Sequence, residues 1–214
     1  QAEEALDTTW LACDLSRRGG MLHVDFSGCG PPHPGNLNAP SAVLRAAVLY
    51  ALRVLVGETI PLNEGALDAV ARTVAEGTVV SPPSGRAVAG GNVETSPRLV
   101  DLMFRACGER AASQGTMNNL TLGGDLGDRR WSLYETIGGG TGASRHREGA
   151  SAQQVHMTNT RATDPEVLET RLPLLLRSFS IRHGSGGGGL YKGGDGLIRE
   201  LEVRGSAQVA LLAS

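Results

Sequence analysis

Thirty of the 214 residues are glycine, and they are bunched at 123–127, 138–142 and 184–196. Such runs favour turns and close approaches of one backbone to another over regular helix or strand. They cut the second half of the chain into short pieces joined by tight connections. Aromatic residues make up only 4% of the chain, so the core between those pieces has to be largely aliphatic. With 40% apolar and 20% charged residues, the chain has the balance of an ordinary globular protein.

Hydrophobic periodicity places the elements. Residues 1–20 read as an amphipathic segment that ends in the turn Arg17-Arg18-Gly19-Gly20, and Met21–Phe26 alternates as a strand does. The run Gly28-Cys29-Gly30-Pro31-Pro32-His33-Pro34-Gly35 is irregular, because proline removes backbone donors. Asn38 is placed to cap a helix over Ala39–Val56, whose Val43, Leu44, Ala47, Val48, Ala51, Leu52 and Leu55 form one apolar face and which Gly57 ends. Thr95-Ser96-Pro97 and Asp164-Pro165-Glu166 each open a further helix. Strands are expected at Trp131–Ile137, Gln154–Thr158, Leu174–Ile181, Leu197–Val203 and Ala207–Leu212. The resulting expectation is an α+β fold: mixed strands, three main helices and glycine-rich connections, with residues 1–214 forming a single interlocked region.

Several function classes are disfavoured. A net charge of −2 with dispersed Lys and Arg gives no electrostatic footprint for nucleic acid. No apolar run approaches the ~20 residues of a membrane span, and the acidic start is no signal peptide. Cys13, Cys29 and Cys107 form neither a disulfide framework nor a metal motif and read as small apolar fillers in a reducing cytosol. The five histidines make no HxH, HxxxH or HExxH pattern, so no metal ligand is assigned within the chain.

The polar stretches carry the remaining chemistry. Ile137–Ser144 invites a phosphate-loop reading, but no amphipathic helix follows it, and Gly184–Gly189 followed by Gly193–Gly196 reads more simply as tight turns. Gln114–Thr121 gathers neutral amides and hydroxyls, among them Asn118 and Asn119, which suit a neutral polar substrate or serve their own backbone in Asx-turns. On a strand, His156, Thr158 and Thr160 would share one face, alternating with Met157 and Asn159, and display a general base beside hydroxyls. Glu94 and Glu135 are single carboxylates near Asn92 and Tyr134.

Taken in order, these stretches resemble the hydantoinase B / 5-oxoprolinase pattern. The blocks are Asp25–Gly28, Gly35–Pro40, Ile60–Gly65, Gly91–Ser96, Ala112–Asn119, Tyr134–Gly140, His156–Arg161 and Gly193–Gly196, spanning about residues 22–205. The resemblance implies a carboxy-proximal part of a B-type subunit in an ATP-dependent cyclic-amide hydrolase, of the 5-oxoprolinase or N-methylhydantoinase type. It implies a cytoplasmic hetero-oligomer in which a hydantoinase A-like partner binds ATP and Mg and phosphorylates the amide oxygen. The B-like part then resolves the intermediate. A divalent metal of the full-length subunit would have most of its ligands outside this chain. On the same footing, Glu94, Glu135 and His156 are the expected catalytic residues, and Asn92, Asn118, Asn119 and Asn159 the expected substrate-binding ones. The alternatives are the B-like subunit of an acetone-type carboxylase and a non-catalytic assembly module.

Overall fold

The computed structural model describes residues 1–58, 60–61 and 63–213; Leu62, inside the Ile60–Gly65 block, lies outside them. The fold is α+β. The chain is organised as two compact units, Gln1–Gly115 and Thr116–Ser214, a division that the single interlocked reading did not draw.

In the first unit, β1 (Ala2–Leu6) and β2 (Thr9–Arg18) form an antiparallel hairpin, so the amphipathic start of the chain is sheet. Gly19 and Gly20, with φ of 57° and 83°, then turn the chain into β3 (Met21–Asp25), a two-residue loop whose left-handed backbone matches strand twist. The short strand β4 (Val70–Thr73) pairs parallel with β3. Helices α1 (Ser41–Val56) and α2 (Ser96–Cys107) pack on each other, and α2 also packs on β1 and β2. Leu44, Ala47, Val48 and Ala51 of α1 and Leu99, Val100, Leu102, Met103 and Phe104 of α2 are buried. Gly57 ends α1 with φ 69°, as its position implies.

Asn38 does not cap α1, whose capping position is taken by Pro40 without a side-chain bond. Its fully buried amide instead fastens the proline-rich loop: Oδ1 accepts from the His33 N–H at 2.8 Å, and Nδ2 donates to the carbonyls of His33, Gly35 and Ala87. Thr95 likewise gives its hydroxyl to the Leu37 carbonyl rather than to the start of α2.

In the second unit, β5 (Asn119–Leu126) is the centre of a three-stranded antiparallel sheet between β6 (Arg129–Thr136) and β9 (Gln208–Leu212). Strands β7 (Leu174–Ile181) and β8 (Leu197–Val203) form a separate antiparallel pair. Helix α3 (Pro165–Arg171) opens on Asp164, whose carboxylate accepts from the N–H groups of Glu166 and Val167. Leu122, Leu133, Leu168 and Leu174 form the aliphatic core, flanked by Leu120, Trp131, Leu172, Leu201 and Val203.

The expected strand Gln154–Thr158 is irregular. Ala152 and Met157 have φ of 57° and 69°, which no strand accommodates, so the alternation that would align His156, Thr158 and Thr160 on one face is lost.

Candidate functional site

Strand β6 leaves its sheet at Thr136, and side-chain amides then take the place of a neighbouring strand. A backbone carbonyl leaving a ladder needs another partner. Gln154 Nε2 donates to the Thr136 carbonyl at 3.1 Å and to its Oγ1 at 2.8 Å, and Asn118 Nδ2 donates to the Ile137 carbonyl at 3.0 Å. Thr136 Oγ1 also lies 2.5 Å from Thr160 Oγ1. Asn118 reaches its place with φ 48°, a left-handed conformation that asparagine tolerates. Buried Asn119, paired in register with Thr136, accepts the Tyr134 hydroxyl at 2.8 Å.

One residue earlier, Glu135 meets Arg199 of β8. Arg199 Nη2 donates to Glu135 Oε1 at 3.0 Å and to the Thr163 carbonyl at 3.2 Å, while the Thr163 N–H donates to the same Oε1 at 3.0 Å. Arg199 Nε stands 2.7 Å from Oε2 as an ion-pair contact whose N–H is not directed along it. Both side chains are only 1% exposed, so each charge depends on the other. The Phe179 ring lies 4.8 Å from the guanidinium carbon. The pair ties β6, β8 and the entry to α3 together.

Two buried polar atoms beside this pair, Arg199 Nη1 and Gln154 Oε1, have no hydrogen-bond partner among the described residues. Both residues line a cavity of about 240 Å³ that Thr136, Arg161, Ala162 and Phe179 also bound. Neither Arg199 nor the cavity was expected from sequence, because Glu135 and Arg199 are 64 residues apart and nothing in the Leu197–Val203 pattern distinguishes that arginine.

The expected site residues divide between the units. Asn118, Asn119 and Glu135 gather at the shared end of β5 and β6, with Leu120 opposite Glu135. His156 is buried at 7% exposed in the irregular segment that follows, and Asn159 is exposed. In the first unit, Asn92 and Glu94 occupy a single π-helical turn, Gly91–Thr95, that leads into α2, a kind of turn frequent at functional sites. The Asn92 carbonyl accepts the Ser96 hydroxyl at 2.6 Å, and Glu94 is buried. Gly91 is required there because a Cβ would stand 2.2 Å from the Asn38 carbonyl oxygen.

The first unit also holds a buried carboxylate that sequence did not single out. Asp101 of α2 accepts from Ser113 N–H at 2.9 Å and Ser113 Oγ at 2.7 Å, and burial pushes its carboxyl up to about 6 against those two bonds. Burial likewise pushes the Cys13 thiol up to about 12, which keeps it protonated and inert.

The glycine-rich stretches spend their amides on the protein itself. Gly140 donates to the Gln153 carbonyl, Thr141 to Ala150 and Gly194 to Thr141, while Gly184 and Gly186 donate to the Asp195 carboxylate and hold its pKa below the usual range. A Cβ at Gly149 or Gly194 would lie 2.0 Å from the carbonyl oxygen of Thr141 or Ala150. Backbone packs directly on backbone, and an anion would have to displace protein acceptors to bind. Among the described residues no three His, Cys, Asp or Glu side chains gather where a metal ion could be held, so these residues alone do not hold the divalent metal, most of whose ligands the sequence resemblance places outside this chain. No helix among them is long and apolar enough to cross a membrane.

Comparison with known proteins supplies the context for this arrangement. A family model described as hydantoinase B/oxoprolinase matches residues 1–214. The chain is 50% identical over 194 residues to 5-oxoprolinase 1 of Arabidopsis thaliana, covering 91% of this chain and 15% of that protein. It spans 15–16% of the length of this and comparable relatives. Its fold is similar to that of an ATP-dependent caprolactamase from Pseudomonas jessenii, with TM-score 0.78, 22% identity and coverage of 93% of this chain and 36% of the other. It is also similar to that of an acetone carboxylase solved without nucleotide, with TM-score 0.76, 22% identity and coverage of 88% and 27%.

Proposed function

The chain belongs to the hydantoinase B/oxoprolinase family, and from that premise we propose that it is part of an ATP-dependent cyclic-amide hydrolase, acting beside a hydantoinase A-like subunit or domain in a cytoplasmic hetero-oligomer. The observation that carries this reading is the 50% identity to a 5-oxoprolinase across 91% of the chain.

The chemical logic is that an amide carbonyl is a poor electrophile. The partner, holding ATP and Mg, converts the amide oxygen into a phosphate ester, and that oxygen becomes a leaving group. This chain's residues then bind the ring and manage protons. His156, buried in the second unit, is the proposed proton-transfer group. Asn118, Asn119 and Asn159 are the proposed amide contacts. Glu135, held between Arg199 and Thr163, serves the site by keeping Arg199 in place. Asn92 is a further proposed substrate contact and Glu94 a further proposed catalytic residue.

The test is ATP turnover by the assembled complex with 5-oxoproline, a hydantoin, and acetone plus bicarbonate. Turnover that follows a cyclic amide and falls about 10²–10⁴-fold in His156→Ala, and substantially in Asn118→Ala, is expected. Turnover dependent on acetone and bicarbonate would instead select the carboxylase reading, for which the acetone carboxylase fold is the supporting likeness. An assembly module would tolerate both substitutions.

A further inference from the structure

Strand β9 bounds the sheet β6-β5-β9 on one side, and the apolar face of that sheet runs out over it without cover. Strand residues alternate between faces. Leu133 of β6, Leu122 of β5 and Val209 of β9 are paired in register and so form one row on the core side. Leu133 and Leu122 are 7% and 3% exposed, whereas Val209 is 59% exposed. The next row repeats the gradient: Glu135 is buried, Leu120 is half-buried and Leu211 is 72% exposed. Two apolar side chains on the face that elsewhere forms the core therefore stand in the open.

The backbone of β9 is open as well. In an antiparallel ladder, alternate residues turn their N–H and C=O groups away from the neighbouring strand. No strand among the described residues pairs with the outer side of β9. Free edges are guarded by charge, proline or a bulge. Strand β6, at the other edge of this sheet, carries Arg129, Arg130 and Glu135. Strand β9 reads Gln208-Val209-Ala210-Leu211-Leu212, with no charge, no proline and no break in its register against β5. It has the make-up of an inner strand. The chain spans 15–16% of the length of its 5-oxoprolinase relatives, so most of a protein of that size lies outside these residues.

We propose that a strand from the part of the full-length protein outside residues 1–214 pairs with the open edge of β9 and covers Val209 and Leu211. The occupant is extended, because only a strand meets the outward N–H and C=O groups of β9 with its own. It carries apolar residues at two alternate positions, which lie beside Val209 and Leu211 on the core face. The sheet then has a fourth strand, and the row of Leu133, Leu122 and Val209 is buried from end to end.

Hydrogen exchange is measured on the wild-type full-length protein in its native assembly, resolved to single amides. The amides of β9 should all exchange at least about a hundredfold more slowly than those of an unstructured chain, including the set that faces away from β5. Photo-crosslinking from p-benzoylphenylalanine placed at Gln208, which is exposed on the opposite face of β9, should reach a peptide outside residues 1–214. Alternate β9 amides exchanging at the unstructured rate would overturn the added strand, since a helix or loop laid over the side chains leaves those amides unbonded. Crosslinks confined to residues 1–214, in the same chain or a second copy, would overturn the assignment of the occupant.

Discussion

Glu135 and Arg199 form a buried ion pair in the second unit. Each is buried, and each neutralises the other at 2.7–3.0 Å. Removing one partner strands a charge in a low dielectric, which costs roughly 3–5 kcal/mol, whereas replacing both with apolar groups is far milder. Glu135→Ala should therefore destabilise by about 3–5 kcal/mol in urea unfolding, and Glu135→Leu combined with Arg199→Met should recover more than half of that loss. Asp101 sets a pH dependence in the first unit. Its folded pKa, about 6, lies above the ordinary value because burial favours the neutral acid. The folded state then binds the proton more tightly than the unfolded chain does. Its contribution is fully present below about pH 4 and is lost as pH rises to about 6, a difference on the order of 3 kcal/mol. Glu4 is shifted upward by burial too, with Arg98 and Arg105 opposing, so the comparison is made against a variant. The unfolding free energy of Asp101→Asn relative to wild type should rise across pH 4–6; a difference that is flat with pH would refute the assignment.

Among the elements, α1 and α3 were legible in the sequence because their signals are local: an apolar stripe ended by Gly57, and a capping aspartate followed by proline. Strand β5 was not. Gly123 and Gly124 read as punctuation, yet they lie mid-strand, where a Cβ at Gly124 would stand 2.5 Å from the Ser206 carbonyl oxygen and 3.1 Å from Trp131 Nε1. Close approach, not a turn, demands glycine there, and that neighbour is invisible in one dimension. The same limit hid Arg199 and the role of Gln154, whose partners are distant in sequence, while Asn118, Asn119 and Glu135 could be named from the motifs that carry them. The glycine-rich region gives a direct contrast. Gly149→Ala drives a Cβ to 2.0 Å from a backbone oxygen, whereas a Cβ at Gly188 meets nothing within 4 Å. Circular dichroism melts should show Gly149→Ala destabilised by at least about 1–3 kcal/mol and Gly188→Ala within about 0.5 kcal/mol of wild type.

Across the whole molecule, two compact units carry one family's sequence from end to end, and the chain spans 15% of the length of the Arabidopsis thaliana 5-oxoprolinase it resembles. The activity proposed is accordingly that of a larger assembly, to which this region is proposed to bring side-chain amides and a buried histidine. Its central claim is that the carbonyl oxygen of a cyclic amide is activated by phosphate before water attacks. The most direct measurement is the fate of that oxygen. With 5-oxoproline labelled by ¹⁸O in its ring carbonyl, one water adding to the activated carbon and cleavage of the C–N bond leave an acyl phosphate, and a second water attacking that carbon breaks its bond to the original oxygen, which departs with phosphate. The account predicts ¹⁸O in the inorganic phosphate released by the complete complex. Label retained wholly in the new carboxylate, with none in phosphate, would contradict it.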